Sequence, residues 1–234
     1  MTTPPEIPPA EDGLWVKTVP IKGSIGYRIG IACGTRTWTL TPDEATAYGL
    51  TALARCAEAE HDSAVMRLLV DKGLEADVVG TVIGRDLRPE RVIDNTATAP
   101  LEFRPGISLD GYKPFLHIYL DGQFTGQIDP DALRDHALSV LEAHRVADLD
   151  AALERWLASG DNPPDRNRVR NMIGALHEYR DERETPREKL ARLEGRAESL
   201  RAAVHEVDDD EAAGLLNERC QQWEREAALM RGAV

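Results

Sequence analysis

The chain has 234 residues, 42% hydrophobic and 29% charged, with a formal net charge of −13. That length and balance suit a globular protein with one or two packed cores, and the acidic excess argues against broad binding to phosphate backbones. No run approaches the about 18 apolar residues of a membrane helix. The first residues lack the basic start and apolar core of a signal peptide. Cys33, Cys56 and Cys220 lie far apart with no CxxC pair, so a reducing, cytoplasmic setting without a disulfide framework is expected. Arg is strongly preferred over Lys and Ala is abundant, a bias of GC-rich coding that points to an actinobacterial genome or a virus of one.

Residues 1–12 carry Pro4, Pro5, Pro8 and Pro9 among polar neighbours, and a segment with so little apolar surface is expected to be a disordered tail. A first unit, 13–94, opens with the strand LWVKTVPI, turns near Lys22-Gly23, continues as IGYRIGIA and enters a third strand, TRTWTLT. Closing the second hairpin over Cys33-Gly34 sets Ile31 opposite Arg36, Ile29 opposite Trp38 and Tyr27 opposite Leu40. One face is then apolar, and the other presents Arg28, Gly30 and Ala32 beside Thr35, Thr37 and Thr39. Thr41-Pro42-Asp43-Glu44 joins an N-cap hydroxyl, proline at N1 and first-turn acids, which predicts a helix start. Its apolar stripe is Ala45, Gly49, Leu53 and Cys56. A second helix is expected to end near Val70, with Gly73 as its stop, and a short third to cover Val78 to Ile83.

The same pattern recurs. Gly34 matches Gly122, Thr37 Thr125, Leu40 Ile128, Pro42 Pro130 and Asp43 Asp131. Outside that window Trp15 matches Phe103, Tyr27 Phe115, Ile29 His117, Ile31 Tyr119, Tyr48 His136, Leu53 Leu141 and Asp62 Asp150. This reads as tandem duplication of a unit of roughly 80 residues, with the second copy at 100–183. Asp121-Gly122 suits a two-residue type I′ turn, and Leu133, Ala137, Leu141 and His144 form the second stripe. In this alignment Leu116, Ile118 and Leu120 occupy the solvated face of the second meander, an apolar patch that something must cover.

From 184 to 234 the chain becomes amphipathic and helical. Leu190, Leu193, Ala197, Leu200 and Val204 form a seam, Asp208 to Asp210 read as a loop and cap, and Leu216, Cys220 and Trp223 belong to a second helix. An antiparallel hairpin is favoured over one long helix in a dimeric coiled coil. The expected fold is thus α+β: two tandem homologous units, each a three-stranded antiparallel meander beneath its own helices, plus a C-terminal helical hairpin or coiled coil.

Motifs for phosphate, dinucleotide, zinc-protease or serine-hydrolase chemistry are absent from the sequence. His136 and His144 are two turns apart, unsuited to sharing a metal. His117, placed on the apolar face, reads as a core or sheet-rim histidine, or as part of a site near the unit interface. The hairpin-plus-helix piece Leu120-Asp121-Gly122 to Ile128-Asp129 resembles the N-terminal oligomerisation segment of actinobacterial nucleoid silencers. That family's basic DNA-binding tail has no counterpart here, so none of its function is implied. The favoured reading is a non-enzymatic protein interaction or assembly module without cofactor or metal. A protein partner or self-association would engage it through Leu116, Ile118, Leu120, Leu190, Leu193, Leu200, Leu216 and Trp223. One alternative is a nucleic-acid-directed or anti-host regulator using Arg166, Arg168 and Arg170, in the segment that also holds Arg180 and Arg183, or using acidic surface. The other is an enzyme of unfamiliar class with a site between the units.

Overall fold

Alternating side chains build two antiparallel meanders. The computed structural model describes residues 14–87, 100–160, 163–182, 186–205 and 210–231, so the expected N-terminal tail, Arg183 and most of the acidic connection before Asp210 lie outside them. One sheet has the order β1 (Leu14–Pro20), β2 (Tyr27–Cys33), β3 (Arg36–Leu40), and the other β4 (Leu101–Ile107), β5 (Pro114–Leu120), β6 (Gln123–Ile128).

The register of the first sheet differs from expectation by two residues. Cys33 pairs with Arg36, Ile31 with Trp38 and Ile29 with Leu40, so the turn is Gly34-Thr35. Gly34 takes φ 56°, the sign that a type II′ turn demands of its first central residue. A two-residue shift leaves the faces unchanged, and Tyr27, Ile29, Ile31 and Leu40 are buried as expected.

In the second sheet the difference is one residue, which exchanges the faces. Asp121 and Gly122 form the expected turn with φ 50° and 75°, and Leu120 pairs with Gln123 and Tyr119 with Phe124. Ile118 then pairs with Gly126, leaving Thr125 as an extra residue, a β-bulge. The ungapped repeat alignment runs through this bulge and misplaces β4 and β5. Leu116 and Ile118 are not solvated: they are buried against helices with Leu101 and Phe103, and Leu120 packs half-buried on the same cluster. His117 leaves the core and faces outward with Phe115 and Tyr119.

Each meander passes into one long helix, α1 (Pro42–Asp71) or α3 (Pro130–Ala158), where two shorter ones were expected. The run Ala52 to Ala59 holds no Gly or Pro to break α1. Thr41 and Glu44 close a capping box with bonds of 3.3 and 2.7 Å, and Asp129 Oδ1 accepts from Asp131 N at 2.8 Å. Gly73, at φ 93°, ends α1: its N–H donates to Val70 O and that of Leu74 to Leu69 O, a Schellman pair. The short helix α2 (Ala76–Val82) follows, continuing as a π-helical turn to Leu87.

The helices do not cover their own sheets. α1 packs mainly on β4 and β5, and α3 mainly on β1 and β2, so the expected cover of each meander by its own helix is overturned. Only Thr41 separates β3 from α1 and only Asp129 separates β6 from α3. That is shorter than the about 2–6 residues of connections that fold a helix back on its strand. The exchange is reciprocal. Tyr48 Oη and His136 Nε2 are hydrogen-bonded at 2.9 Å, and a Cβ on Gly49 would lie 2.6 Å from Leu141 Cγ and 3.2 Å from Ala137 O. Tyr48 matches His136 and Gly49 matches Ala137, so the crossing joins corresponding positions.

Beyond α4 (Arg166–Glu182), helices α5 (Pro186–Val204) and α6 (Asp210–Arg231) lie antiparallel. Arg231 pairs with Glu194 at 2.7 Å, Arg201 with Glu224, and the Cys220 thiol donates to Ala197 O at 3.1 Å. This geometry sets aside the long-helix alternative. Leu193, Leu200 and Leu216 are buried within the chain, where the hairpin packs on α1 and α3.

Gly49 marks the tightest point of the α1–α3 crossing. Replacing an exposed mid-helix glycine by alanine stabilises by about 1 kcal/mol, but a methyl at Gly49 must displace Leu141. Gly49→Ala is expected to cost roughly 1–3 kcal/mol, whereas Gly214→Ala, with nothing within 4 Å of its Cβ, is expected to gain up to about 1 kcal/mol. Urea unfolding of both variants checks the contrast.

Candidate functional site

The bulge at Thr125 decides what the second sheet shows to solvent. Its outer face carries Phe115, His117 and Tyr119 from β5 and Phe124 from β6, where Phe124 is 56% exposed. Ring centroids are 4.8 Å apart for Phe115–His117, 5.4 Å for His117–Phe124 and 5.9 Å for Tyr119–Phe124, all near edge-to-face. Edge-to-face is the geometry that aromatic pairs favour. Arg104 flanks the row from β4, its guanidinium 4.3 Å from the Tyr119 centroid and doubly bonded to Glu102 at 2.6 and 3.1 Å. Gly106 permits the arrangement: a Cβ there would lie 2.5 Å from Phe115 Cε2, so the ring lies across β4 only because that position is bare.

The first sheet has a different outer face. Lys17, Arg28, Thr37 and Thr39 are exposed there, Gly30 and Ala32 are buried, and Trp15, opposite Ala32 and half-buried, is the aromatic side chain on that face. The outer faces of the two sheets differ, but the expected patch of Leu116, Ile118 and Leu120 is not there; Phe115, His117, Tyr119 and Phe124 make the difference. Leu190 is half-buried, and Trp223 lies half-buried beneath Arg196, 5.0 Å from guanidinium carbon to ring centroid.

The basic candidates are largely engaged. Arg170 donates to Ile21 O at 2.9 Å and Ser24 O at 2.8 Å, tying α4 to the β1–β2 loop, and its Nε stands 3.5 Å from Glu154. Arg166 Nε is 3.3 Å from the same carboxylate. Glu154 is 2% exposed, and a carboxylate so buried requires cationic neighbours. Arg168 is exposed; the side chain of Arg180 lies outside the described residues. The same cluster pushes Tyr27 up to about 12, through burial first and then Glu154 and Asp150. His177 Nε2 meets Asp150 Oδ1 at 3.0 Å.

Burial raises the pKa of all three thiols, which keeps them protonated and poorly nucleophilic. Among the described residues no group of three or more His, Cys, Asp or Glu is placed to hold a metal ion, and no helix is long and apolar enough to cross a membrane. His144 Nδ1 lies 3.0 Å from Pro42 O, at the start of α1. His136, buried at the helix crossing, is drawn down from 6.5 to about 4 by loss of solvent, so it stays neutral near pH 7. The arrangement thus sets an aromatic row on the outer face of the second sheet and ion pairs around the buried Glu154 and Asp150. No family model, curated protein or solved structure matches this chain.

His136 gives the fold a pH dependence of definite sign. The unfolded chain binds this proton near pH 6.5, and the folded chain refuses it until about pH 4. Its contribution is therefore complete above the higher value and is lost as pH falls through that window. His136→Gln keeps a partner for Tyr48 without titrating. The stability difference, wild type minus variant, is expected to shrink by roughly 2–3 kcal/mol between pH 7 and 4.5. Parallel curves from urea unfolding would contradict the assignment.

Proposed function

We propose that this chain is a non-enzymatic interaction or assembly module, derived from a duplicated β-β-β-α unit whose two copies wrap around each other. The duplication is supported by sequence correspondences that become contacts, Tyr48 with His136 and Gly49 with Ala137. A two-fold association of a single ancestral unit would place equivalent residues together in this way. Fusion of the copies frees one sheet to diverge from the other, and the second has acquired the aromatic row.

That row is the observation that carries the reading. Rings with apolar bodies and polar tips, set near edge-to-face against their neighbours and bordered by a held Arg104, match the composition of protein-binding hot spots. The expected partner is a protein or a second copy of the chain. Arg166 and Arg170, committed to Glu154, give the nucleic-acid reading less support.

Phe124→Asp tests the proposal, with Lys17→Asp on the first sheet as control. Exposed substitutions of this kind change stability by about 0.5 kcal/mol or less, so both variants are expected to fold as the parent does. Association measured by sedimentation of the pure protein and by capture from lysate is expected to weaken at least about tenfold, about 1.4 kcal/mol, for Phe124→Asp alone. Equal association by the two variants, or none by the parent, would refute it.

A further inference from the structure

A second surface, remote from the aromatic row in composition, lies where α6 passes α1 and the start of β5. A cleft of about 470 Å³ opens there, lined by Arg67 of α1 and by Arg219 and Arg225 of α6, with Leu215 and Pro114 supplying apolar wall. Its size falls in the about 300–1,000 Å³ of small-molecule sites. We propose that this cleft binds a small molecule bearing a single phosphate group.

The first ground is charge. On a chain of net charge −13, three guanidinium groups line one cleft. Of the two carboxylates that line the cleft, Glu60 and Glu218, the first is already held by the buried Arg134 at 2.7 Å. Arg67 and Arg225 have no carboxylate within ion-pair range among the described residues, whereas Arg219 is paired with Glu60 and Asp131 at 3.7 and 3.6 Å and donates to Gln222 Oε1 at 3.4 Å, so Arg67 and Arg225 carry the unneutralised charge.

The second ground is positioning. Arg67 donates to Ser63 Oγ at 3.0 Å and Ser63 O at 3.4 Å, and Ser63 in turn donates to Tyr112 O at 2.6 Å. Arg225 Nε donates to Gln221 O at 3.2 Å. Each guanidinium is steered by its own helix with N–H groups left over, so less side-chain freedom is lost on binding an anion. Guanidinium groups arriving from two helices suit a tetrahedral oxyanion, which accepts from several directions, better than a planar carboxylate. Glu218 also lines the cleft, and its charge disfavours polyphosphates and nucleic acid while tolerating one phosphate. Leu215 and Pro114 provide contact for an apolar body attached to it.

Phenyl phosphate combines both features and serves as the probe, with inorganic phosphate and benzoate as comparisons, titrated calorimetrically into the full chain at low ionic strength. The expected result is saturable one-site binding of phenyl phosphate, at least tenfold tighter than benzoate and tighter than inorganic phosphate. Arg67→Gln/Arg225→Gln is expected to weaken it at least tenfold. Arg225→Gln alone, whose side chain bonds only to its own helix, gives the same direction should the double variant lose its fold. Absence of saturable binding, equal affinity for benzoate, or undiminished binding by a folded variant overturns the proposal. Phe124→Asp is expected to leave phenyl phosphate binding intact, so failure of the interaction reading and failure of this one are separable.

Discussion

The approach of α1 to α3 at Gly49 is the constraint on which the other packing depends. Leu141 occupies the space that a side chain at Gly49 would fill, and the Tyr48–His136 bond satisfies two polar groups that the crossing buries. An unpartnered hydroxyl or imidazole there would cost about 1–3 kcal/mol. With the helices locked at this point, each extends over the sheet that precedes the other. Phe103 of β4 meets Tyr48 of α1, ring to ring at 6.0 Å, and Arg170 holds the β1–β2 loop against α4. The main buried cluster accordingly draws on both meanders, both long helices and the C-terminal hairpin.

Interlocking has a consequence for the surface. The inner faces of both sheets are occupied by helices from the opposite half, and the seam of α5 and α6 is spent on α1 and α3. Leu116, Ile118, Leu193, Leu200 and Leu216, which resemble a partner-binding set in the sequence, are therefore internal, with Leu120, Leu190 and Trp223 half-buried, and the aromatic row on the outer face of the second sheet rests on Gly106 and Arg104. The buried charges follow the same logic. Arg134 is 4% exposed and bridges Glu60 of α1 to Asp131 of its own helix. Such a group is costly to bury unpaired and tolerable when held by two carboxylates.

Local signals in the sequence translated well. Thr41-Pro42 and Asp129-Pro130 mark both helix starts, Asp121-Gly122 marks its turn, Gly73 marks the end of α1, and the stripe from Leu193 to Leu200 faces inward. What the sequence hid is longer in range or one residue in size. Thr125 inserts a single residue into β6, and an ungapped comparison of the halves carries that error back through β5, exchanging His117 and Tyr119 with Leu116 and Ile118. Two clues bear on it: Gly34 suits the first place of its turn where Gly122 suits the second, and Leu, Ile and Leu form a more uniform core set than Phe, His and Tyr. Nothing local pairs Arg170 with Glu154, and the one-residue connections at Thr41 and Asp129 bear on helix exchange only once both sheets are known.

The exchange of helices is tested most directly by a double-mutant cycle on Tyr48 and Phe103, each replaced by Leu singly and together, with stability read from urea unfolding. The rings sit on α1 and β4 and meet only if α1 covers the second sheet. A coupling of about 0.5–1.5 kcal/mol is expected for such an edge-to-face pair. Additivity at Tyr48 and Phe103, together with coupling of Tyr48 to Ile29 of the first sheet, would mean that α1 covers its own strands and would contradict the interlocked arrangement.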